Sequence, residues 1–129
     1  MPKSEHSTAV IMIADDCADN RELLRTVLSL DGYEVVEAAN GLEAVETARC
    51  ARPDLIFMDL NMPVLDGYDA VLRLRQTPET SHVPVVAFTS NDTSEHRAKA
   101  LAVGFNEFLT KPIDWPRLER VVCRLLKAA

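Results

Sequence analysis

Long apolar runs are missing from this chain of 129 residues. The longest, Ala9–Ala14, falls far short of the roughly 20 residues that a membrane-spanning helix needs. The opening Met1-Pro2-Lys3-Ser4-Glu5-His6-Ser7-Thr8 has no apolar core, which excludes a secretion signal and leaves a short flexible tail over 1–8. A cytoplasmic protein is expected. An excess of positive charge is lacking as well. Fourteen basic residues stand against twenty acidic ones, for a net charge of -6. That balance excludes a general attraction to nucleic acid or to an anionic membrane surface, and leaves a divalent cation or a basic partner face. Cysteine is scarce, and Cys17, Cys50 and Cys123 make an odd count without C-x-x-C spacing. A disulfide framework and a zinc site are therefore excluded, and the thiols are expected to be reduced and structural. Cys17 follows an acidic pair, but sulfur is not the ligand a hard cation takes. Repeats, low-complexity tracts and internal linkers are absent too. The length suits one domain, over 9–129, with one core.

What is present is an alternation. Ala9–Ala14 is a β-branched apolar run ending at Asp15-Asp16. Leu23, Leu24, Val27, Leu28 and Leu30 then follow helical spacing and predict one buried stripe, closed by Asp31-Gly32. Tyr33–Ala38 alternates only in part, as a strand near a sheet edge does. Asn40 can cap a helix with Leu42, Val45 and Ala48 inward, which Arg52-Pro53 breaks. The run Leu55–Met58 suits a strand buried on both faces, with Asp59 at its C-terminal end and Pro63 beyond it. Asp66-Gly67 leads into a helix with Tyr68, Val71, Leu72 and Leu74 inward. Val85–Phe88 is the next strand, ending at Thr89-Ser90. Asp92-x-x-Glu95 reads as a capping box for a helix buried through Ala98, Leu101, Ala102 and Val103. Glu107–Thr110 is a last strand, running into Lys111-Pro112. Asp114 caps the final helix, whose stripe is Leu118, Val121, Val122, Leu125 and Leu126. Five strand–helix alternations predict an α/β fold, a parallel sheet with helices on both faces.

In such a sheet all the C-terminal strand ends share one edge, the edge where ligands bind in open α/β proteins. Those ends carry Asp15 and Asp16, Asp59, Thr89 and Lys111. Taken singly, Asp59 can begin a turn, Asp15-Asp16 can be solvated acids before a helix, and Lys111 can be a surface lysine. Their joint placement points to a site. Two unit charges about 4 Å apart repel by roughly 4 kcal/mol at an effective dielectric near 20, so three carboxylates need compensation. Lys111 supplies part, and a bound Mg²⁺ would supply the rest; a protonated carboxylate is the alternative. A hard cation, a carboxylate, a hydroxyl and a lysine are also the parts phosphoryl transfer needs. Asp59 is then the acceptor, a carboxylate able to form an aspartyl-phosphate. Asp15 and Asp16 would hold the metal, and Thr89 and Lys111 would contact the phosphoryl oxygens.

These motifs in combination, Asp15-Asp16, Met58-Asp59-Leu60-Asn61-Met62-Pro63 with Asp66-Gly67, Phe88-Thr89-Ser90 and Leu109-Thr110-Lys111-Pro112, resemble the receiver domains of two-component response regulators. The resemblance runs from Ala9 to about Lys127. It implies a flavodoxin-like, doubly wound sheet of five strands in the order 2-1-3-4-5, with five helices. It implies that Asp59 is phosphorylated from a phosphohistidine on a histidine kinase or histidine phosphotransfer protein. Mg²⁺ would be held by Asp16, Asp59 and the backbone carbonyl of Asn61, with Asp15 close by through water. Lys111-Pro112 is implied to be cis. Phe108 stands at the family's switch aromatic, expected to turn inward as Thr89 is drawn to the phosphoryl group. Asn61 and Asn91 are implied to tune turnover of the aspartyl-phosphate. A downstream protein would read the face made by the fourth helix, fifth strand and fifth helix. No helix-turn-helix or catalytic output domain follows, so a stand-alone receiver is expected, self-phosphorylating and self-dephosphorylating but otherwise no enzyme. Two other readings use the same fold. A phosphorylation-independent adaptor commonly lacks an acid or the lysine, and none is missing here. An aspartyl-nucleophile phosphatase resembles a D-x-D pattern, and Asn61 stands where its second Asp would act as the acid.

Overall fold

Side chains on successive residues of a strand point to opposite faces. Five strands, β1 (Val10–Ala14), β2 (Glu34–Ala38), β3 (Leu55–Met58), β4 (Val85–Thr89) and β5 (Glu107–Thr110), pair in parallel in the order β2-β1-β3-β4-β5, and the three central ones are buried on both faces. The computed structural model describes residues 8–90 and 93–128, with Lys127 and Ala128 as backbone only. The expected tail lies outside the described residues except for Thr8. Met12, Ile56, Met58, Val85 and Ala87 pack on one side of the sheet with α2 (Gly41–Ala51), α3 (Gly67–Gln76) and α4 (Ser94–Val103). Ile11, Ile13, Leu55, Phe57, Val86 and Phe88 pack on the other with α1 (Ala18–Leu30) and α5 (Trp115–Ala128). The register aligns Ala14 with Ala38 and Met58, and Thr89 with Thr110. The C-terminal strand ends are therefore level along one edge. No helix among the described residues is long and apolar enough to cross a membrane.

Several helix termini follow their local chemistry. Asn40 and Asp66 accept the N–H of Glu43 and Asp69, and Asp114 accepts that of Arg117. Arg52 closes α2 at φ 49, and Gly32 follows α1 at φ 93. The start of α4 differs from expectation. Its cap is Thr93, which accepts the His96 N–H, while Asp92 lies outside the described residues. The inward face of α4 differs too. Ala98, Leu101 and Ala102 are exposed, Val103 is partly buried, and Ala100 is the residue that is fully covered. The physical reason is that small and apolar residues surround this helix, so spacing alone defines no stripe. Leu23, Leu30, Leu42 and Leu72 also stand outside the buried stripes expected to include them, with Leu30 82% exposed. Leu24 and Leu28 bury α1, and a two-residue seam is enough for a helix against a sheet.

Arg75, near the end of α3, ties three segments together. Its Nη1 donates to the carbonyls of Val83 (2.6 Å) and Ser81 (3.2 Å). Nε and Nη2 donate to the carbonyl of Gly104 at 3.1 and 2.7 Å, and Nη2 reaches Asn106 Oδ1 at 2.8 Å. That same Oδ1 accepts the Val85 N–H at 2.9 Å. Burial lowers the Arg75 pKa, but a guanidinium stays charged at neutral pH. Arg75→Met keeps the stem and removes every donor. It is expected to lose about 2–3 kcal/mol in urea unfolding, since hydrogen bonds from a charged group are among the stronger ones. Arg75→Lys, with a point charge in place of the fork, should recover less than half of that loss.

Candidate metal centre at the C-terminal edge of the sheet

The level strand ends bring Asp15 from β1, Asp59 from β3 and Lys111 from beyond β5 into contact. Lys111 Nζ lies 2.9 Å from Asp15 Oδ2 and 2.9 Å from Asp59 Oδ2. Both acids are buried, at 1% and 7% exposure, while Asp16 is exposed. One carboxylate oxygen from each of Asp15, Asp16 and Asp59 lies within 4.8 Å of the other two. One oxygen of each buried acid is also held by the local chain. Asp15 Oδ1 accepts the Cys17 N–H at 2.9 Å, and Asp59 Oδ1 accepts the Asn61 N–H at 3.0 Å. Thr89 is fully buried at the end of β4, and its carbonyl accepts the Lys111 N–H at 2.9 Å. The Lys111-Pro112 peptide is cis.

Burial raises the Asp59 pKa, and the Asp15 charge adds to it. The Lys111 bond and the Asn61 N–H oppose this without cancelling it. Burial pulls the Lys111 ammonium down, but its bonds to Asp59 and Asp15 and their charges outweigh burial, so its pKa is raised. Three carboxylates against one ammonium leave two negative charges when all are ionised. A divalent cation among hard oxygen donors, with the exposed Asp16 on the open side, matches that deficit and that chemistry.

Two glycines fix the chain after Asp59. A Cβ on Gly67 would lie 2.3 Å from the Asp59 carbonyl oxygen and 2.9 Å from Leu60 Cα. A Cβ on Gly41 would lie 1.8 Å from the Leu65 carbonyl oxygen. Between them the chain turns tightly, with the Leu65 N–H donating to the Pro63 carbonyl at 2.7 Å and Val64 at φ 70. A β-branched residue in that region is strained, by about 1–3 kcal/mol, and persists because its surroundings hold it.

Residues 11–122 match the response regulator receiver domain. The chain belongs to that family. The polar-differentiation response regulator DivK of Brucella anthropi is 36% identical over 117 residues, which cover 91% of this chain and 90% of DivK. Response regulator PleD of Caulobacter vibrioides is 39% identical over 107 residues, 83% of this chain but 24% of PleD, so the chain spans about a quarter of that relative. The solved receiver domain of the sensor histidine kinase PA1611 from Pseudomonas aeruginosa has a magnesium ion coordinated in its active-site cleft. It superposes with a TM-score of 0.87 at 33% identity, covering 94% of this chain and 99% of that one.

Against the other receiver positions the outcome is mixed. Asn91 lies outside the described residues. Asn61 is exposed just beyond Asp59. Phe108 is only 3% exposed, with the Arg97 guanidinium 4.8 Å from its ring centre. In this conformation the ring occupies an inner position. The sequence reasoning missed Asn20, whose Nδ2 is 3.4 Å from Asp15 Oδ2, and Phe88, whose ring lies 5.3 Å from Lys111 Nζ. It also missed the packing roles of Gly41 and Gly67. Their readable trace is a glycine at the first helical position directly after a capping residue, where helix propensity gives no reason for one.

Proposed function

We propose that Asp59 accepts a phosphoryl group from a phosphohistidine of a histidine kinase or histidine phosphotransfer protein, in the cytoplasm, and that another protein reads the change. The observation that carries this reading is the buried Asp59 carboxylate, 2.9 Å from Lys111 Nζ and within 4.8 Å of the oxygens of Asp15 and Asp16. In the transfer, an Asp59 oxygen attacks phosphorus as the phosphorus–nitrogen bond of the phosphohistidine breaks, and the imidazole leaves with the bond's electron pair. Asp16, Asp59 and the Asn61 carbonyl would hold Mg²⁺, with Asp15 near through water, and the bound ion would neutralise charge on the transferring group. Lys111 exchanges its contact with Asp59 for one with a phosphoryl oxygen. Thr89 donates its hydroxyl to another. Asn61 and Asn91 tune the later hydrolysis. The face of α4, β5 and α5 carries the signal, through Thr89 and the packing of α4 on Phe108.

Incubation with Mg²⁺ and a small phosphodonor tests this. Intact mass should show one added phosphoryl group, removed by hydroxylamine, in the wild type and none in Asp59→Asn. An unlabelled wild type, or equal labelling of the variant, would overturn it.

A further inference from the structure

The edge strand β2 sends no side chain into the acid cluster, yet it is connected to it. Glu37 of β2 accepts from Arg21 Nε at 3.2 Å and from Arg25 Nη1 at 2.8 Å. Arg21, on the second turn of α1, also uses Nη1 to donate to the main-chain carbonyl of Asp15 at 2.6 Å. The guanidinium therefore bridges β2 to the turn between β1 and α1, which carries Asp15 and Asp16. Asp15 has further anchors, at the Cys17 N–H and Lys111 Nζ. Asp16 is exposed, so the place of its carboxylate follows from how that turn is held. The side chain of Arg21 is 19% exposed and that of Glu37 28%, which limits solvent screening of their pair. Arg25, 48% exposed, adds a weaker contact that orients Glu37.

We propose that Arg21, oriented by Glu37, is a positioning residue for the divalent-cation site, holding the Asp15–Asp16 turn in its binding geometry. This rests on the reading of the acid cluster as a metal site. The sign of the effect is diagnostic. As a bare positive charge, Arg21 repels an incoming cation, and its removal tightens binding. As a positioner, it keeps the ligands placed, and its removal weakens binding. Groups that orient metal ligands from behind commonly change affinity by about 10–100-fold when removed.

The test is titration of the full chain with Mn²⁺, reading the free ion by electron paramagnetic resonance. Arg21→Met and Arg21→Lys should each bind about 10-fold more weakly than wild type, at the lower end of that range because neither touches the metal. Arg21→Lys keeps the charge, so a charge-only role predicts no change for it. Binding by Arg21→Met that equals or exceeds that of wild type would overturn the proposal. If Arg21→Met does not fold by circular dichroism, Arg21→Lys decides: weaker binding supports positioning, and unchanged binding refutes it. A wild type that binds no Mn²⁺, or binds it as well after Asp16→Asn, overturns the metal reading itself and the proposal with it.

Discussion

Gly67→Ala is expected to lose about 3 kcal/mol of stability in urea unfolding, at the upper end of ordinary overpacking costs, and to label poorly at Asp59. The added Cβ meets main chain, 2.3 Å from the Asp59 carbonyl oxygen and 2.9 Å from Leu60 Cα. No side chain can swing aside, so either α3 retreats from the sheet or the end of β3 moves. The second response displaces the acceptor itself. The gain in helix propensity from Gly to Ala, about 1 kcal/mol in a helix interior and less at the first position, offsets little of this. Gly41→Ala presses on the Leu65 carbonyl at 1.8 Å, in a loop with exposed Val64 at its tip. That loop can move outward, so Gly41→Ala should lose less stability than Gly67→Ala while still slowing labelling. Gly32→Ala is the control. It sits at φ 93 with nothing within 4 Å, so its cost is backbone strain alone, about 1 kcal/mol, with normal labelling. A Gly67→Ala protein as stable and as readily labelled as wild type would show that the end of β3 is not clamped.

The architecture was legible because the three central strands are short, doubly buried runs and several helices follow a capping residue. Asn40, Asp66 and Asp114 cap where their chemistry says they can. The acid cluster was legible for a topological reason, since parallel strands put Asp15, Asp59 and Lys111 at one edge whatever the helices do. What spacing could not supply were contacts between distant segments. Nothing local to Arg75 marks it as the tie between Val83, Gly104 and Asn106. Nothing local to Arg21 marks its bond to the Asp15 carbonyl. The inward face of α4 failed for another reason. Its apolar residues surround the helix, and the face is chosen by the sheet and Phe105 and Phe108 beneath it, which select Ala100. Phe108 too is found under Arg97, a partner that only the packed structure supplies.

Lys111→Met is expected to be the most destabilising change at the site, and its cost should depend on pH. The ammonium, on a side chain 19% exposed, is bonded to two buried carboxylates at 2.9 Å each. Removing one partner of a buried pair leaves an uncompensated charge and commonly costs 3–5 kcal/mol; with Asp16 and solvent at the open side, about 3 kcal/mol is expected at pH 7 with a chelator present. Asp59 sets the direction on the acid side. Its folded pKa is raised by burial already in the wild type, so the folded state takes a proton more readily than the unfolded chain. Stability from that group therefore rises as pH falls through the folded pKa toward the ordinary carboxylate range. Without Lys111 the folded pKa is higher still, so the variant gains more on acidification and the gap to wild type narrows from pH 7 to pH 5. Lys111 sets the direction on the alkaline side. Its pKa lies above the ordinary lysine value of 10.5, so its stabilisation is complete below that value and is lost as pH rises through the folded pKa. Adding Mg²⁺ at pH 7 should restore more stability to the variant than it adds to the wild type, because the site then lacks its one resident cation and binding to the folded state alone stabilises it. Urea unfolding at pH 5, 6 and 7, with and without Mg²⁺, checks each sign. A loss that is the same at pH 5 and pH 7 would mean that Lys111 acts there through packing and not through its charge.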